Sequence, residues 1–132
     1  MQYVGVLVAA AAAFAFGAAW YMTLAKPWMA AAGIKMGEDG KPQGNGSSMP
    51  FIIGAITLIL VSGMTRHIIT MSGLSTLLDG LMVGFGIGAF TILPWMAMNY
   101  AYSMRPPMLT VIDGGYAVIS CTIIGVVLSF FI

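Results

Sequence analysis

Four runs of about 20 apolar residues, almost free of charge, constrain this chain more than any other feature: Tyr3 to Met22, Phe51 to Ile69, Leu78 to Tyr100 and Thr110 to Ile132. A helix needs about 20 apolar residues to cross roughly 30 Å of hydrocarbon. A strand would leave its backbone groups unpaired in lipid, and four segments are too few to close a barrel. The expected fold is an all-α membrane protein, one domain over residues 1–132, with four transmembrane helices in an up-down bundle. Composition agrees: 60% of the residues are hydrophobic and 7% charged, too few charges to cover a soluble domain of this size. The net charge of +1 provides no basic field for nucleic acid. The first run has no Lys or Arg before it and no convincing cleavage site, so it reads as a permanent helix rather than a signal peptide.

The connection from Lys26 to Pro50 holds "GEDGKPQGNGSS" and reads as polar, glycine-rich and mobile, above all over 35–50. The other two connections are short, so successive helices should be antiparallel neighbours. Lys26, Lys35, Lys41 and Arg105 fall on one side of the membrane and Arg66 alone on the other. That asymmetry predicts cytoplasmic first and third connections and periplasmic termini in a bacterial inner membrane.

Trp20, Tyr21, Trp28, Trp95, Tyr100, Tyr102 and Tyr116 lie near the ends that face the cytoplasmic connections, where an interfacial aromatic belt is expected. Sliding the sequence by 79 residues places Tyr21, Lys26, Pro27 and Met29 on Tyr100, Arg105, Pro106 and Met108, and Gly5 and Ala9 on Gly84 and Gly88. The halves then read as two repeated helical hairpins. In each, an aromatic anchors the helix end, a cation snorkels and a proline stops the helix.

Small residues recur every fourth position as Gly5, Ala9, Ala13 and Gly17 in the first helix and Gly80, Gly84 and Gly88 in the third. Such stripes let backbones approach closely in lipid. They suggest the first helix packed on the third, or a homo-oligomer. Pro94 should bend the third helix. "TLLD" and "TVID" (Thr76–Asp79 and Thr110–Asp113) resemble the capping box and read as helix starts, with Asp79 in reach of Arg66 and Asp113 of Arg105. Asn99 reads as an amide that bonds between helices, with contact to a ligand as the alternative.

Metal and redox chemistry find no support. Cys121 is the only cysteine and lacks a partner, and His67 stands alone. The twelve methionines lack the spacing of a thioether ligand set. No cofactor is expected.

"FGAAWYMTLAKPWMAAAG" and "NYAYSMRPPMLTVIDGGY" resemble the signature of the uncharacterised membrane family called domain of unknown function 1761. The resemblance rests on Gly17, Trp20, Tyr21, Lys26 to Met29 and Gly33, then on Asn99, Tyr100, Arg105, Pro106, Asp113 and Tyr116. It implies a small four-helix bacterial membrane protein and supplies no activity. The expected function is a non-enzymatic membrane protein that self-associates or serves a larger membrane complex, its partners being lipid and other membrane subunits. The alternative is a small-solute transporter working as a homo-oligomer. The small multidrug transporters are similar in size, but they carry a glutamate in the first helix that is missing here. The candidate polar cluster is Trp20, Tyr21, Lys26, Asn99, Tyr100, Arg105, Asp113 and Tyr116.

Overall fold

A computed structural model describes residues 2–43 and 46–132. The helices are α1 (Gln2–Thr23), α2 (Ala25–Ala32), α3 (Met49–Met71), α4 (Leu77–Ile87), α5 (Leu93–Tyr102) and α6 (Pro107–Ser129), with a π-helical turn, Gly88–Ile92, joining α4 to α5. Among the described residues four stretches are long and apolar enough to cross a membrane: Tyr3–Thr23, Met49–Met71, Leu77–Tyr102 and Pro107–Ser129. The protein is an all-α, multi-pass membrane-type fold. Around the bundle α1 packs on α3, α3 on α4, α4 on α6 and α6 back on α1, while α3 and α6 also meet across it. This ring is compatible with two hairpins related by a two-fold axis.

The connection after α1 departs from the expected polar loop. Its first part forms α2, which rests on α1 and α6 and buries Met29. Pro27 does not end a helix; it sits in the first turn of α2, where a missing N–H costs least. The break lies at Leu24 (φ −103°, ψ 20°), and Leu24 still accepts from the N–H of Trp28 at 2.9 Å. Pro27 cannot donate to Thr23, so the chain bends there without unwinding. Gly33 closes α2 in the left-handed region, φ 73°, which suits glycine.

The bend expected at Pro94 takes the form of the π turn. Leu93 donates its N–H to Gly88 O, five residues back. Widening one turn gives room for the proline ring, which clashes with the carbonyl four residues before it.

The small-residue stripes do not meet each other. Among the described residues α1 and α4 share no packing; both lean on α6. A Cβ on Gly80 would strike the carbonyl of Gly125, one on Gly84 the carbonyl of Cys121, and one on Gly88 would come 2.7 Å from Val118 Cα. Gly5 lies under Phe131 and Gly17 under Tyr116, while Ala9 and Ala13 are fully buried beside Leu58, Ile69, Ile124 and Leu128. α6 is the central helix because it carries small residues on its own side of these contacts.

Candidate functional site

Asp113 lies in the second turn of α6, not at its start, so it cannot cap the helix; Pro106 holds the cap position and Pro107 the first helical one. Its carboxylate instead collects donors from three other helices. Tyr21 of α1 donates its hydroxyl to Oδ1 at 2.6 Å, and Trp28 of α2 donates its indole N–H to the same oxygen at 3.1 Å. Tyr100 of α5 donates to Oδ2 at 2.6 Å. Tyr21 and Tyr100 are the two tyrosines that coincide when the halves are superposed in sequence. One carboxylate therefore ties both halves.

A second layer orients these donors. Trp20 donates to the carbonyl of Ile112 at 3.0 Å, and Tyr116 donates back across the interface to the carbonyl of Ala13 at 3.2 Å. The Tyr21 ring stands edge-on to Trp28 at 5.8 Å and to Tyr116 at 5.3 Å, and Phe16 stacks on Tyr116 at 6.1 Å. Such offset and edge contacts favour packed rings. Two glycines make the space: a Cβ on Gly17 would come 2.8 Å from the Tyr116 hydroxyl, and one on Gly115 would lie 3.0 Å from Cζ2 of Trp20.

Five of the aromatics expected in an interfacial belt thus turn their polar ends inward. The physical reason is that a carboxylate and two helix carbonyls offer better partners than headgroups at the same depth. Trp95 (67% exposed) and Tyr102 (81%) do face outward, as a belt requires.

Arg105 does not pair with Asp113. It donates Nη1 to the carbonyl of Ala32 at 3.1 Å, holding the C-terminal end of α2, where a cation meets both a free carbonyl and the negative end of the dipole. Lys26 is exposed on α2, and Asn99 is exposed on α5, its carbonyl accepting from Ser103. Neither joins the cluster. Trp28 joins it from α2, as a carboxylate donor that the sequence reading assigned only to the belt. The available signal was its place in the same "KPWM" motif as Lys26.

At the opposite end, Asp79 does cap its helix. Its Oδ2 accepts from the N–H groups of Thr76 at 3.0 Å and Ser75 at 3.2 Å, while its own N–H donates to Thr76 Oγ1 at 3.1 Å. This closes a capping box and turns the carboxylate away from the expected pairing with Arg66.

The Asp113 cluster and all but the first two residues of the helices fall inside residues 4–129, which match the model of a family described as protein of unknown function (DUF1761). The chain belongs to the DUF1761 family. No curated protein and no solved structure matches it. In this DUF1761 chain Tyr21 of the "WY" pair, Trp28 of "KPW" and Tyr100 of the second half converge on the Asp113 carboxylate. With both oxygens engaged, that carboxylate works as an acceptor that locks four helices together. Hydrogen bonds to a charged group are worth about 1.5–3 kcal/mol each, so the cluster is a substantial part of what holds this end closed. Among the described residues no group of three or more His, Cys, Asp or Glu side chains is placed to hold a metal ion.

Proposed function

We propose that this protein acts by association within the bilayer, as a self-associating unit or as an accessory subunit of a larger membrane complex, and not by catalysis. The third span supports this reading. Only 11% of its most apolar window is buried inside the chain, against 44% for α6. Its inner side is committed to α6 through Gly80, Gly84 and Gly88, while Leu81, Phe85, Phe90 and Trp95 stand exposed. Leu81, Phe85 and Phe90 thus leave an apolar face that the chain itself does not cover, and the reading proposed is that another membrane subunit packs there by van der Waals fit. The Asp113 carboxylate is engaged by three donors, which leaves it poorly placed to take a substrate proton. The setting proposed is a bacterial inner membrane with periplasmic termini, the side bearing Lys26, Lys35, Lys41 and Arg105 facing the cytoplasm.

Gentle extraction followed by native mass spectrometry tests the reading. A homo-oligomer or a defined complex is expected, weakened by Phe90→Ala. A monomer that persists in native membranes under crosslinking would refute it.

A second reading, solute transport by a homo-oligomer, draws on the π turn in the third span, since such bulges recur at functional sites in helices. Solute flux in proteoliposomes that disappears with Asp113→Asn and survives Asp79→Asn would favour it. Flux indifferent to both would remove Asp113 from the mechanism.

A further inference from the structure

The charge pattern isolates Arg66. It is the sole Lys or Arg on its side of the membrane, against the bias that places such residues in cytoplasmic connections. It also lies within an apolar span, five residues before the end of α3 and so about 8 Å along the helix from it. A guanidinium at such depth pairs with an acid, lines a functional site or extends its head along the helix to the interface. Asp79, the acid expected to pair with it, is turned into its own capping box. The Nε of Arg66 is buried and has no hydrogen-bond partner among the described residues.

A second group on the same helix face is in the same condition. Ser62, one turn earlier, is 0% exposed, and its hydroxyl is also without a partner among the described residues. Positions four apart share one face of a helix. Thr65, between them and equally buried, satisfies its hydroxyl on the carbonyl of Val61 at 2.7 Å. Two unpaired polar groups, one of them cationic, are therefore stacked on the inner face of α3. Ser62 is enclosed by the chain, whereas Arg66 is only partly buried and its guanidinium can be matched from outside, which relieves the cost of an unsatisfied cation.

We propose that Arg66 forms a binding site for a phosphate oxyanion at the end of the bundle opposite the Asp113 cluster. The phosphate belongs to a lipid headgroup or to free phosphate in the periplasm. Arginine suits the task, since its planar fork matches phosphate geometry and its apolar stem lets the head reach the interface. His67, exposed beside it, adds no competing negative charge.

Full-length protein in detergent would be titrated with phosphatidylglycerol, with diacylglycerol of the same chains, and with inorganic phosphate, reading bound species by native mass spectrometry. Wild type should prefer phosphatidylglycerol over diacylglycerol, and Arg66→Gln should lower that affinity about fivefold or more, the scale of one cation at a lipid surface. Lys41→Gln, in the exposed connection, should leave it unchanged. Inorganic phosphate that displaces the lipid through Arg66 would assign the site to the free anion; failure to displace it would assign the headgroup. Equal binding of all three probes by wild type and Arg66→Gln would overturn the proposal. Should Arg66→Gln not fold, hydrogen exchange on wild type decides. Residues 70–76 should slow with phosphatidylglycerol or phosphate and not with diacylglycerol, and no slowing with either anion overturns it.

Discussion

At the scale of single residues, Asp113 is the side chain on which most depends. Tyr100→Phe removes the donor to Oδ2 and should cost about 1.5–3 kcal/mol, measured as a shift in detergent unfolding. Tyr21→Phe should cost less, because Trp28 still donates to Oδ1. Asp113→Ala should exceed either, since it leaves three donors without an acceptor in a half-buried site. An alanine variant as stable as wild type would refute the clasp. The acid itself stands out in the sequence. Tyr21 and Tyr100 stand in the candidate cluster with it, but their role as its donors, and that of Trp28, is not legible, because the T-x-x-D spacing suggests a cap, and only the true helix start at Pro107 moves Asp113 inside.

At the scale of helices, the third span is held by backbone approach to α6. Gly84→Ala would drive a Cβ into the carbonyl of Cys121, a backbone atom that cannot rotate away, and should destabilise by about 1–3 kcal/mol. Gly86→Ala, two residues on, meets nothing within 4 Å and should be neutral or slightly stabilising, because alanine is the better helix former. Equal effects of the two, by thermal unfolding in micelles, would show that the stripe does not set the packing. The four-residue period of small side chains is plain in the sequence. Which helix it faces is not, because α6 presents Gly125, Cys121 and Val118 to it without an equally regular stripe.

At the scale of the whole molecule, the up-down order places the connections after α1 and after α5 on one side and the turn between α3 and α4 on the other. Cysteine introduced at Ser47 or Met104 should label from the same face of the membrane, and cysteine at Ser72 from the opposite one. Native Cys121, 3% exposed against the third span, should stay unlabelled in all of them. Labelling of Ser47→Cys and Ser72→Cys from one side would contradict the four-span topology.

Length and apolarity of the runs were enough by themselves to establish four helices and a membrane setting, because lipid leaves the backbone no alternative. The capping box at Thr76 and Asp79 was legible for a similar reason, since a cap is satisfied within four residues. Tertiary structure decided the rest. It turned α2 back onto α6, drew Tyr21, Trp28 and Tyr100 to one carboxylate across as many as 92 residues of chain, and left Arg66 without the acid that stands near it in sequence. Partners of a polar group in an apolar bundle are chosen by which helix faces come together, and that is a property of packing rather than of spacing along the chain.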